Sequence, residues 1–155
     1  MTLEEQVYEL LKKNNYKITT AESCTAGMLA ARLGNVPGIS GYFNEGYITY
    51  SNEVKCKRIH VEPDVIEKYG AVSKEVAFQM AEGAAKEAGA DVAVSCTGIA
   101  GPGGGSERKP VGLVYIGCYV NSHTTVEEHH FAGDRQEVRK QTVEKALELV
   151  IKCVK

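Results

Sequence analysis

Thr20-Ala21-Glu22-Ser23-Cys24-Thr25-Ala26-Gly27 is the stretch on which the fold turns. A mixed apolar-polar run, Lys17 to Ala21, leads into it as a strand, and a run of Ala, Met and Leu from Thr25 to about Leu33 leads out of it as a helix. Ser23 therefore stands at a strand-to-helix junction. The first backbone amides of a helix have no intrahelical partner, and the macrodipole makes that end electropositive, so an oxyanion formed beside Ser23 would be stabilised there. A plainer reading has the hydroxyl of Ser23 or Thr25 doing no more than capping the helix.

Outward from the junction, helices and strands alternate. Upstream, Thr2 to about Asn14 predicts a helix, with Thr2 and Glu5 spaced as a capping box and Val7, Leu10 and Leu11 on its apolar face. Downstream, Gly34 ends the second helix and Pro37-Gly38 marks a turn. Tyrosines with Phe43, Ile48 and Thr49 predict one or two strands from Ser40 to Tyr50, followed by short helices over Asn52 to Ile59 and from Pro63 to Gly70. Ser73 to Glu87 is amphipathic, with Val76, Ala77, Met80, Ala81 and Ala84 at helical period and Ser73 as its cap. A buried strand, Asp91 to Cys96, leads to the loop Thr97-Gly98-Ile99-Ala100-Gly101-Pro102-Gly103-Gly104-Gly105. Val111 to Val120 and Thr124 to Phe131 read as strands that could form an antiparallel hairpin. The last helix begins after Asp134, capped by Asp134 with Glu137, and lines up Val138, Thr142, Ala146, Leu149, Val150 and Cys153. This order predicts an α/β sandwich with a mixed or largely parallel sheet.

The 155 residues suit one domain spanning 1–155. The net charge of -2, from 18 basic and 20 acidic side chains intermixed, leaves no basic stripe for nucleic acid. No run of about eighteen apolar residues and no signal-peptide pattern at Met1 to Gln6 points to a membrane, and a cytoplasmic location is expected. Five scattered cysteines, an odd number without zinc or redox spacing, should be reduced and mostly buried.

Two points fall just past strand ends, where α/β proteins bind ligands: the Ser23 turn and the glycine-rich loop. The loop is neither a Walker A sequence nor a dinucleotide fingerprint, since no Gly-Lys-Ser/Thr follows and it leads into a strand. Amides around Gly101, Gly103 and Gly104 can converge on an anion, with the Thr97 hydroxyl at the rim, or the loop is simply flexible. Arg135 and Arg139, four apart on one helix face, either clamp a phosphate or carboxylate or form a solvated edge. Tyr50 and Lys55 are candidate proton carriers, although the lysine serves as a base near neutral pH only if its surroundings lower its pKa. Otherwise both are ordinary surface residues. Adjacent His129 and His130 point to opposite faces of a strand, so no metal site is expected, and His60 and His123 stand alone. A lysine-assisted serine is thus favoured over a histidine triad. Cys24 is the rival nucleophile.

Taken together, Thr20 to Gly27, Gly46-Tyr-Ile-Thr-Tyr-Ser-Asn-Glu-Val-Lys55, Gly70 to Ser73, the glycine-rich loop, Lys109 to Gly112 and Phe131 to Arg135 resemble the CinA C-terminal domain family over nearly the whole chain. Its members include nicotinamide-nucleotide amidohydrolases, which convert nicotinamide mononucleotide to nicotinate mononucleotide and ammonia in pyridine-nucleotide recycling. The resemblance implies a three-layer α/β/α sandwich around a mixed, largely parallel sheet. It implies a Ser23 nucleophile with Tyr50 and Lys55 as its base system, and substrate contacts from Thr97, the glycine loop, Arg135 and Arg139. Amides at Cys24 and Thr25 would then hold the oxyanion, with no cofactor. The partner implied is a small-molecule nucleotide, and a homo-oligomer stays open. The alternative is a catalytically silent nucleotide-binding module, since some relatives of the domain lack amidase activity. Two positions depart from the family pattern: Ala26 replaces the first of two glycines, and Glu45 precedes Gly46 where a Gly-Gly pair is common. Many members carry this domain behind a larger one; because Met1 opens directly on the first helix, that partner's pyrophosphatase activity is expected to be absent.

Overall fold

The computed structural model describes every residue from Met1 to Lys155. In chain order its elements are α1 (Leu3–Asn14), β1 (Ile18–Glu22), α2 (Met28–Gly34), a 3-10 turn (Ile39–Gly41), β2 (Tyr47–Ile48), α3 (Asn52–Ile59) and α4 (Pro63–Tyr69). Then follow α5 (Lys74–Ala88), β3 (Val92–Gly98), β4 (Leu113–Val120), β5 (His123–His130) and α6 (Arg135–Val154).

The strands form one sheet in the order β2-β1-β3-β4-β5. β1 runs parallel to both β2 and β3, whereas β4 pairs antiparallel with β3 and with β5. The sheet is therefore mixed, and its last two strands are the hairpin. All of β1, and β3 up to Thr97, is buried, as befits strands covered on both faces. On one face α1, α2 and α6 enclose a cluster of 20 buried residues including Leu11, Leu29, Ile116 and Leu147. On the other, α5 with α3 packs a smaller cluster around Ile59, Val76, Met80 and Ala84. That second face depends on Gly83. A Cβ there would sit 1.6 Å from the Ile59 carbonyl oxygen, so only glycine lets α5 approach the end of α3 this closely.

Both capping boxes form, Thr2 with Glu5 and Asp134 with Glu137. Two stretches differ from expectation. Between Ser40 and Tyr50 only Tyr47–Ile48 pairs as a strand; Gly38, at φ 93, turns the chain into a 3-10 segment, and Phe43 touches the sheet through a single bridge to Ile18. α2 starts at Met28 instead of Thr25, because Ala26 (φ 48) and Gly27 (φ 99) hold left-handed backbone and cannot lie inside a helix. No helix is long and apolar enough to cross a membrane. All five cysteines are free, with Cys24, Cys96 and Cys118 buried.

Register brings the two candidate loops together. Glu22, the last residue of β1, lies beside Cys96 of β3, so the chain leaves the sheet at Ser23 next to the point where Thr97 and Gly98 enter the glycine loop.

Candidate active site

The junction at Ser23 is shaped by a residue the sequence reading passed over. Glu22 is fully buried, and its carboxylate accepts hydrogen bonds from the amides of Gly27 (3.2 Å), Leu29 (2.9 Å) and Ala30 (3.0 Å). It also accepts from the Thr25 hydroxyl at 2.6 Å. Glu22 is thus the side chain that caps α2, which leaves the Ser23 hydroxyl free of that duty. This corrects the expectation that the helix end would serve an oxyanion: those amides are spent on Glu22. The amides of Cys24 and Thr25 are not, since neither donates to any group in the protein. The signal available in the sequence was a carboxylate set immediately before a small-residue helix start.

Arg139 grips the other side of the same turn. Its Nε donates to the Cys24 carbonyl at 3.0 Å and one terminal nitrogen to the Thr25 carbonyl at 3.2 Å. It lies outside the lining of the Ser23 cavity, so its reading as a ligand clamp gives way to one as a brace. Ala26, the departure from the family glycine, is the strained point of the braced turn. Glu45 is not among the residues lining the cavity; its carboxylate accepts from the Tyr47 hydroxyl.

Lys55 reaches Ser23 from α3, a helix capped by Ser51. Its Nζ donates to Ser23 Oγ at 3.2 Å and to the Tyr50 backbone carbonyl at 3.2 Å. Lys55 is 1% exposed and takes part in no ion pair. Burial pushes its pKa below the usual lysine range, with the thiols of Cys24, Cys96 and Cys56 acting in the opposite sense. A buried amine held against a hydroxyl with no counter-charge is poised to accept a proton. The Tyr50 phenol is turned elsewhere. It is half exposed and accepts from Arg135 at 2.9 Å, while Arg135 also donates to the Gly101 carbonyl at 2.7 Å. Lys55 therefore meets the main chain of Tyr50 and not its ring, and no hydrogen bond supports a proton relay through that phenol. The Cys24 thiol is buried, and a hydrogen bond from Cys96 holds it below its ordinary value against the cost of burial.

Around this pair lies a cavity of about 270 Å³. Ser23, Cys24 and Lys55 line it together with the glycine loop, Tyr50 and Arg135, with Asn52 a lining residue that sequence alone did not single out. Thr97 also lines it, but its hydroxyl donates inward to the Ala71 carbonyl at 2.9 Å. In the loop, the amides of Ala100, Gly101, Gly103 and Gly104 donate to nothing in the protein, and Gly101 and Gly104 both hold φ 87. Free amides facing a guanidinium make a concave anion receptor. No group of three or more His, Cys, Asp or Glu side chains is arranged to hold a metal. His129 and His130 pair separately with Glu127 and Glu128.

Residues 1–154 match the family model described as the CinA C-terminal domain. A curated relative from Clostridium novyi, named for competence-damage induction, is 57% identical over 148 residues. That match takes in 96% of this chain but 36% of the relative, so the chain spans little more than a third of its length. A CinA-like protein of Kosmotoga olearia is 51% identical over 149 residues, again with 96% of this chain and 36% of the relative covered. Among solved structures, the competence/damage inducible protein CihA from Agrobacterium tumefaciens superposes with a TM-score of 0.93 at 37% identity, covering 99% of this chain and 96% of that one. A CinA superfamily protein from Escherichia coli gives 0.93 at 34% identity, covering 98% and 90%.

Proposed function

The chain belongs to the CinA C-terminal domain family, and on that premise we propose that it hydrolyses the carboxamide of nicotinamide mononucleotide to nicotinate mononucleotide and ammonia. The observation that carries this reading is Lys55 Nζ at 3.2 Å from Ser23 Oγ, buried and without a carboxylate partner. Neutral Lys55 takes the hydroxyl proton as Ser23 Oγ bonds to the carboxamide carbon. The tetrahedral oxyanion is met by the free amides of Cys24 and Thr25. Lys55 returns the proton to the amide nitrogen, the C–N bond breaks, and ammonia leaves a nicotinoyl ester on Ser23. Water, deprotonated by the same amine, adds to the ester carbon, and the C–Oγ bond breaks to release the acid as Lys55 returns that proton to Ser23 Oγ. The scheme uses no metal or cofactor.

In this reading the substrate phosphate rests on the amides of the glycine loop with Arg135 alongside, a role supported by those amides having no acceptor in the protein. Tyr50, tied to Arg135, flanks that end of the cavity. Holding the phosphate positions the carboxamide, so a substrate lacking it forfeits binding energy that the reacting centre needs. Ammonia release by the purified chain tests this, with nicotinamide mononucleotide set beside its phosphate-free nucleoside and free nicotinamide. Only the nucleotide should turn over efficiently, and Lys55→Met should lower kcat by roughly 10² to 10⁴, the range for loss of a general base. A folded Lys55→Met protein turning over at the wild-type rate would remove the mechanism. Wild-type protein that binds the nucleotide and releases no ammonia would instead be a silent binding module.

A further inference from the structure

A cavity larger than the one at Ser23 lies beside it. A trough of about 620 Å³ lies across the segment Gly70 to Ser73, with Val72 lining both cavities. Lys68, Lys74, Arg108 and Lys109 face it, against the carboxylates of Glu75 and Glu128. None of the four cations has a carboxylate within ion-pair distance. Glu128 is already engaged, accepting from the Tyr115 hydroxyl at 3.0 Å and paired with His130 at 2.7 Å. Lys109 Nζ donates to the Tyr69 carbonyl and Lys68 Nζ lies 5.2 Å from the centroid of the Tyr69 ring, so Lys74 and Arg108 are the trough cations that the protein leaves without a partner.

Two further features give it the character of an anion site. Lys74 is the first residue of α5, where the macrodipole disfavours a cation, and an anion in the trough would relieve that cost. The Lys74 and Glu75 amides, at the same helix end, donate to nothing in the protein. The trough then runs into a groove of about 420 Å³, the two sharing Tyr69, Lys74, Glu75 and Val126. Val65 and Phe78 line the groove, and the rings of Phe78 and Tyr69, each 39% exposed, offer it accessible aromatic surface. One continuous depression is thus basic at one end and apolar-aromatic at the other. Each of its two parts falls within the roughly 300–1,000 Å³ typical of small-molecule sites.

We propose that trough and groove form a second nucleotide site, which takes the di- or triphosphate of a nucleoside at Lys74, Arg108 and Lys109 and its base against Tyr69 and Phe78. Four cations spread along a trough exceed what one phosphate needs, and the aromatic end distinguishes a nucleotide from inorganic polyphosphate. The site shares only Val72 with the Ser23 cavity and does not depend on the reaction assigned there.

Calorimetric titration of the purified chain with ATP, inorganic triphosphate and adenosine tests the assignment. ATP should bind, and the double variant Lys74→Glu/Arg108→Glu should weaken it by at least about tenfold, the equivalent of ~1.4 kcal/mol. Phe78→Ser should weaken ATP several-fold and leave triphosphate unchanged. Lys74→Glu puts a favourable charge at the start of α5, so its thermal midpoint should hold or rise, and lost binding in a folded variant reports the site. Absence of ATP binding would overturn the proposal. So would ATP binding that survives Lys74→Glu/Arg108→Glu but is lost in Arg135→Ala, which would place it in the Ser23 cavity. Triphosphate binding as tightly as ATP would overturn the assignment of the groove to the base.

Discussion

At the scale of single residues, the account rests on Lys55, an amine buried at 1% exposure with only a hydroxyl and a carbonyl to hydrogen-bond. Its pKa is lowered in the folded chain by burial, so between that lowered value and the ~10.4 of an unfolded lysine the unfolded state binds more protons. Stability should accordingly rise with pH across that window, and the rise should vanish in Lys55→Met. The same substitution replaces a buried amine that has no carboxylate partner with an apolar side chain of similar length, and should raise stability by about 1–3 kcal/mol while lowering kcat by roughly 10² to 10⁴. Paired thermal and urea unfolding of the two proteins at several pH values would check both. In wild-type protein kcat/KM should climb with pH through a limb lying below the solvated lysine range, as the amine loses its proton. Those outcomes together would mark Lys55 as a group kept for chemistry at the expense of stability.

At the scale of elements, Glu22 and Arg139 together hold the turn between β1 and α2. Glu22→Ala would strip four hydrogen-bond donors of their acceptor in a buried turn. A loss of roughly 2–4 kcal/mol is expected, summed from a lost cap and unpaired buried groups. Its kcat should fall further than its KM rises, because the substitution frees the turn and leaves the phosphate contacts intact. A denaturant series with steady-state kinetics would show this. Most elements were legible in the sequence because each carries a local signal: the capping boxes of α1 and α6, Pro63 at the start of α4, the apolar period of α5. The stretch from Ser40 to Tyr50 was not, because aromatic and β-branched residues signal strand while Gly38, at φ 93, turns the chain into a 3-10 segment and only Tyr47–Ile48 pairs. The late start of α2 was hidden for a related reason, since nothing in the string Cys24-Thr25-Ala26 announces a left-handed alanine.

At the scale of the whole molecule, sheet register does what no motif can. Ser23 and Lys55 are 32 residues apart, and they meet because β1 ends beside β3 while Gly83 lets α5 seat α3 under the turn. Arg32 adds a tie across the opposite layer, bonding Glu4 of α1 at 2.9 Å and Glu144 of α6 at 2.6 Å and holding the Glu4 carboxyl at about 2. The candidate residues could be nominated from spacing and family resemblance, but their division of labour depended on three-dimensional placement. That placement turns Arg139 toward the main chain, the Tyr50 phenol toward Arg135, and Glu22 into the cap. It also leaves two neighbouring groups that could attack a carbonyl, Ser23 and Cys24. The most direct measurement is therefore ammonia release from nicotinamide mononucleotide by wild-type, Ser23→Ala and Cys24→Ser proteins, each shown to be folded. The account predicts that activity is lost in Ser23→Ala and largely kept in Cys24→Ser; activity that survives Ser23→Ala and disappears in Cys24→Ser would contradict it.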